Sequence, residues 1–160
     1  MSVRRVRRGA GALGMVAVGV LGGGGLGLGL AGCGGTSSTS APTYREILLD
    51  GHPVVCAEVF RTTAEHERGL SGNHAPAAGA FVNQPPLQPS LWMHNVQRNL
   101  VGVWVAAGGH ILGSVQMQAM TTVLHPAPAA VPLILELSPG LWARWSGART
   151  ASLGRGGCVA

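Results

Sequence analysis

The sequence predicts a mainly β domain, a small antiparallel β-barrel or sandwich with one or two short helices. Two observations lead there. Short apolar runs enriched in valine and tryptophan recur between glycine, proline and aspartate turn signals. The links between them have hairpin length, too short for repeated crossover helices.

The elements follow in order. Tyr44 to Leu49 reads as a strand, Asp50-Gly51 as a tight turn tolerant of positive φ, and Val54 to Phe60 as the returning strand. Thr62-Thr63-Ala64-Glu65 has capping-box spacing, which makes Ala64 to Leu70 the best helix segment, ending near Gly69 and Gly72. Residues 72–90 contain Pro76, Pro85, Pro86 and Pro89 and read mostly as loop around a small strand at Ala80-Phe81-Val82. Leu91 to Asn95 and Leu100 to Ala106 are apolar runs of strand length. The second lacks alternation, which predicts burial on both faces. Gly108-Gly109 turns the chain into His110 to Met117. A proline-containing loop, Gln118 to Ala130, leads to a strand at Val131 to Leu137. Ser138-Pro139-Gly140 then turns toward a short helical piece at Leu141 to Trp145.

The N-terminus is of another kind. Arg4, Arg5, Arg7 and Arg8 precede an apolar, glycine-rich stretch from Ala10 to Ala31 that ends in Leu30-Ala31-Gly32-Cys33. Basic charge orients such a segment at the membrane, and small residues ahead of a cysteine suit cleavage followed by lipidation of the thiol. Those four residues resemble the bacterial lipobox. The expected organisation is a signal peptide over residues 1–32, a lipidated Cys33 with a flexible tether to residue 43, and one domain over residues 44–160. The expected location is the outer face of the cell membrane or the cell envelope, with the Cys33 lipid as the membrane contact. The paired arginines leave the export route open between the general and twin-arginine pathways.

Removing the leader changes the charge balance. The whole chain carries a net charge of +5, with 11 basic residues, all arginine. Four leave with the leader, so seven face six acids in the domain. No basic patch remains to suggest nucleic acid as a partner. Two cysteines remain beside Cys33, namely Cys56 and Cys158, and outside the cytoplasm an even pair is expected to be bridged.

Trp92-Met93-His94-Asn95 is the first place to look for a site. On a strand, Trp92 and His94 share one face and Met93 and Asn95 the other, giving a tryptophan wall with polar tips at His94 and Asn95. The plain structural alternative makes Trp92 core and Asn95 a turn cap. Glu136 lies between Leu135 and Leu137 and so faces opposite to them, either solvated or, in an apolar strand, poised as a general acid or base. His52, His66, His74, His94, His110 and His125 show no metal-site spacing, and Met117 with Met120 has no histidine cluster beside it. No Gly-x-Ser-x-Gly motif occurs, and the Gly22 to Gly29 run belongs to the leader. Neither metal nor cofactor is expected.

Arg68-Gly69-Leu70, Trp92-Met93-His94-Asn95 and Leu135-Glu136-Leu137 with Gly140 resemble, in order and spacing, the domain-of-unknown-function 192 family. The resemblance covers about Val54 to Leu153 and implies a small, mostly antiparallel β fold, often exported, with no established activity. Arg68 and Glu136 fall in matching family segments, which suggests an ion pair between them. Ser71, Ala80 and His94 depart from the pattern, and Asn99, Val101, Thr150 and Ala151 stand where the family has Pro, Asp, Gly and Asp. A site built on those two acids would be lost or rebuilt here. The expected function is binding of a small ligand or envelope protein through Trp92, His94, Asn95, Arg68 and Glu136. An envelope hydrolase using Glu136 or Glu58 with His94 is the alternative, and a structural accessory with no pocket is the third reading.

Overall fold

Asp50 and Gly51 take φ values of 47° and 81°, the pair of positive angles that a two-residue hairpin turn needs. They join β1 (Thr43–Leu49) to β2 (His52–Phe60) in antiparallel register, with a bulge between Ile47 and Leu48. The computed structural model describes residues 41, 43–72 and 76–159. The leader, Cys33, the tether through Ser40 and His74 lie outside the described residues.

Thr62 caps α1 (Thr63–Arg68): its side chain accepts the Glu65 N–H, and the Glu65 carboxylate accepts the N–H groups of Arg61 and Thr62. The helix belongs to a crossover, because β3 (Gly79–Leu87) returns parallel to β2 and places Glu58, Val59 and Phe60 opposite Gly79, Ala80 and Phe81. A parallel neighbour cannot be reached by a hairpin, and the helix with the stretch after it supplies the length. This pair is the parallel exception among otherwise antiparallel pairings of the described residues.

After β4 (Ser90–Leu91) come β5 (Leu100–Val105), β6 (Ile111–Met117), β7 (His125–Pro126), β8 (Val131–Leu137), α2 (Pro139–Trp145) and β9 (Ala151–Gly157). Seven strands form one sheet in the order β6-β5-β8-β3-β2-β1-β9, while β4 and β7 pair separately. The result is mainly β and sandwich-like. The barrel half of the expectation is corrected: the sheet stays open, and its edge regions meet only at a His110–Thr150 bridge, short of the continuous ladder that closure requires. Every residue of β5 is buried, as its unbroken apolar run predicted.

Two apolar clusters cover the two faces of the central strands. Ile47, Val101, Val103, Leu135, Leu137 and Trp142 belong to one, and Phe60, Phe81, Leu91, Leu100, Trp104 and Ile134 to the other. Cys56 and Cys158 form the expected disulfide, with Cα atoms 5.9 Å apart across a separation of 102 residues. Three elements differ from expectation. β3 runs on to Leu87 through Pro85 and Pro86, whose missing N–H groups fall where the ladder to β8 is irregular. β7 sits inside the expected loop. β9 was not anticipated; Ala151-Ser152-Leu153-Gly154-Arg155-Gly156-Gly157 has little strand propensity, and its pairing with β1 imposes the conformation. Among the described residues, no helix is long and apolar enough to cross a membrane.

Candidate functional site

Glu136 does face opposite to Leu135 and Leu137, but that face is covered. Its cross-strand neighbours are Gly79 on β3 and Gly102 on β5. A Cβ on Gly79 would lie 2.9 Å from the Phe60 ring, and one on Gly102 would lie 2.5 Å from Leu91 Cδ1. Apolar side chains therefore fold into the space beside the carboxyl, and Glu136 is only 4% exposed. The solvated reading is corrected. Burial pushes its pKa up to about 8, against the opposing pull of the Arg98 charge. No donor among the described residues hydrogen-bonds this carboxyl.

The expected Arg68–Glu136 pair is also corrected. Arg68 Nη2 donates to Glu58 Oε1 at 2.5 Å, and the guanidinium lies 5.1 Å from the Phe60 ring centroid. Register explains the choice. Gly102, Glu136, Gly79 and Glu58 form one row across β5, β8, β3 and β2. Glu58 is on the strand that leads directly into α1, so the last residue of that helix meets it first. Glu136 is left two strands away.

Trp92 and His94 come together without a strand. β4 ends at Leu91, and the chain turns through His94 and Asn95, the latter at φ 59°. Met93 is buried within the second cluster, while Trp92 is 49% exposed and its ring stacks on His94 with centroids 5.5 Å apart. Trp92 as core is thus excluded, and the shared wall is formed by a turn. The Asn95 carbonyl accepts the Gly72 N–H and the His94 carbonyl accepts the Ser71 hydroxyl, which fastens this turn to the chain just after α1.

These groups border one cavity of about 100 Å³. Arg68, Trp92, His94 and Glu136 line it, together with His66, Phe81, Asn83, Leu91 and Ile134. Asn95 is not part of the lining. Two residues that the sequence reading did not single out are Asn83 and His66. Asn83 is 2% exposed and donates its Nδ2–H to the Val131 carbonyl at 3.0 Å. An asparagine directly after the apolar Ala80-Phe81-Val82 was the available signal. His66 makes a 3.0 Å hydrogen bond from Nε2 to the Phe60 carbonyl and stands edge-on to Phe81. No hydrogen bond joins the His94 ring to a carboxylate among the described residues. None of the described groups brings three or more His, Cys, Asp or Glu side chains together for a metal ion.

Val101 and Ala151, where the family pattern has acids, are buried in the other cluster. Ala151 borders a nearly all-apolar groove of about 280 Å³ with Val105, Pro132, Leu133 and Leu153. The Glu136 cavity lies on the opposite face and does not use these positions.

A family model described as DUF192, Uncharacterized ACR, matches residues 46–150. Two solved structures share the fold. One is a protein of unknown function from Novosphingobium aromaticivorans DSM 12444, 22% identical, with a TM-score of 0.59 over 71% of this chain and 83% of that one. The other, from Sinorhizobium meliloti 1021, is described as a candidate transcription regulator. It is 18% identical, with a TM-score of 0.63 over 74% of this chain and 96% of that one. No curated protein matches the chain.

Proposed function

The chain belongs to the DUF192 family, and from that premise we propose that it is a lipid-anchored envelope protein that binds a small ligand in the Glu136 cavity. One observation carries the binding reading. Four of the five residues marked in the sequence, Arg68, Trp92, His94 and Glu136, line a single cavity, and the carboxyl of the most buried of them accepts no hydrogen bond among the described residues. Burying a carboxyl without a partner is costly, so a fold that keeps one beside two glycines has a use for it.

The cavity speaks against a purely structural accessory. The hydrolase reading needs His94 paired with a carboxylate, and the His94 ring instead stacks on Trp92. The anchor rests on Leu30-Ala31-Gly32-Cys33 behind an arginine-rich start and an apolar stretch. At about 0.8 kcal/mol per buried CH₂, more than one acyl chain on Cys33 holds the domain at a membrane where a single chain is marginal.

Native mass spectrometry of the full chain extracted from its own envelope tests the binding reading. A small-molecule adduct is expected, and it should vanish in the Trp92→Ala, Glu136→Gln double variant. Either a bare wild-type mass or an adduct that survives both substitutions overturns it. Cys33→Ser should abolish incorporation of labelled fatty acid; continued labelling refutes the anchor.

A further inference from the structure

We propose that the cavity takes a small organic cation, an ammonium group on a short apolar stem, with the Glu136 carboxylate as its counter-ion. The inference rests on the binding reading above and adds the chemistry of the ligand.

The buried polar atoms of the lining offer lone pairs. Glu136 has no hydrogen-bond donor among the described residues. Asn83 spends an Nδ2–H on the Val131 carbonyl, which fixes its orientation and leaves Oδ1 as an acceptor. His66 faces the Phe60 carbonyl with Nε2, so that N–H is already spent. Acceptors call for a ligand that brings donors.

Charge points the same way. The lining holds Glu67 and Glu136 against Arg68, and the Arg68 charge is already met by Glu58 at 2.5 Å and by the face of Phe60. An anion would meet the Glu67 charge and gain nothing from a protonated Glu136, whereas a cation gains a counter-ion when Glu136 ionises. The walls suit a stem: Phe81, Leu91 and Ile134 are apolar, and Trp92 at the mouth presents a ring of the kind that attracts cations. A cavity of about 100 Å³ restricts the ligand to a few heavy atoms.

In the empty cavity at neutral pH Glu136 holds its proton, so a cation that enters expels it to solvent. The charged and titratable groups around it are His66, Glu67 and Arg68 from α1, Glu58 from β2 through Arg68, His94 from the turn and Arg98 from the segment before β5. A Glu136→Gln comparison separates the effect of Glu136 from that of the other groups.

Calorimetric titration of the full chain in mild detergent, with propylammonium, propionate and propan-1-ol as probes, tests the inference. Propylammonium should bind best. Its affinity should rise about fiftyfold from pH 6 to pH 8, because a carboxyl of pKa about 8 goes from about one per cent to half ionised. Titration in buffers of different ionisation enthalpy should show close to one proton released per ligand at pH 6.5. Glu136→Gln should weaken binding at least tenfold at pH 8 and abolish the release. Trp92→Ala, at an exposed site that leaves the core intact, should weaken binding several-fold and keep the release. Preference for propionate or propanol, or full affinity in Glu136→Gln, overturns the cation and leaves the binding reading standing. Failure of all three probes, with a ligand-free native mass, overturns both.

Discussion

Along β8 three consecutive residues separate two kinds of interior. Leu135 and Leu137 point into an apolar cluster that α2 closes with Trp142. Glu136, between them, points into a row with Gly79 and Gly102 and borders an open cavity. The first face is organised for packing alone, where removing a methylene costs and nothing polar waits for a partner. The second packs Phe60 and Leu91 over two glycines and shelters a carboxyl that accepts no hydrogen bond among the described residues. At pH 7 the fold must keep that carboxyl protonated, against an ordinary value of 4.5, which costs about 3 kcal/mol. One face holds the sheet together, and the other, in the proposed reading, carries the ligand site at the expense of stability.

The largest expected effect lies in the clasp at the edge of the sheet. The Cys56–Cys158 bridge closes a loop of 102 residues and ties β2 to the chain just past β9. In the chain-entropy view such a loop contributes about 4–5 kcal/mol. Replacing both cysteines by serine should lower urea stability by that order and loosen β9 first. A loss under about 1 kcal/mol would mean that the unfolded chain gains little freedom from the cut. Glu136→Gln should act in the opposite direction. A carboxyl raised to about 8 adds stability that is fully present below about pH 4.5 and is lost as pH rises through 8. The wild-type stability should therefore fall across that window, and the variant should be flatter and about 3 kcal/mol more stable at pH 7. Urea titrations at several pH values measure this, and parallel curves would dissolve the contrast between the faces.

How much of this was legible in the sequence depended on whether a signal was local. The Asp50-Gly51 hairpin, the Thr62 capping box and the doubly buried β5 are set by adjacent residues and were readable. The parallel return of β3 depends on where a crossover lands, and β9 is a strand because of its partner β1. Side-chain direction at Glu136 followed from alternation, but whether that face was solvent or core depended on Leu70, Leu91 and Phe60, distant in sequence. The partner of Arg68 has the same dependence: two glutamates two strands apart compete for it, and only register shows that Glu58 is nearer. Trp92 and His94 stand side by side through a turn, where alternation along a strand was the expected cause.

Gly102→Ala sharpens the comparison from inside the site. The added Cβ would meet Leu91 Cδ1 at 2.5 Å, a side-chain end that can yield, and Leu91 directly precedes Trp92. Overpacking of this kind costs about 1–3 kcal/mol. The stability loss should come with weaker ligand binding, since the displaced leucine enters the cavity or shifts the Trp92 turn. Val103→Ala, on the other face of the same strand, should cost stability and leave binding intact. Equal effects on binding would show that the two faces are mechanically one.

The smallest effect belongs to a second carboxylate whose surroundings reverse those of Glu136. Asp50 is solvent-exposed, and its Oδ1 accepts the N–H groups of Arg149 and Thr150 and the Thr150 hydroxyl at 2.9–3.0 Å. Those donors hold its pKa below the ordinary 3.8, the backbone N–H of Thr150 foremost. The sign is opposite to that of Glu136: this stability is present above the ordinary carboxylate range and is lost as pH falls through it. Asp50→Ala should leave ligand binding unchanged and speed amide exchange at Arg149 and Thr150, just ahead of β9. Unchanged protection there would mean that the backbone pairs Asp50–Thr150 and Ala151–Gly109 hold the β9 start by themselves. The carboxylate with three donors thus fastens the start of β9, whereas the one without donors is, in the proposed reading, the group that meets a ligand.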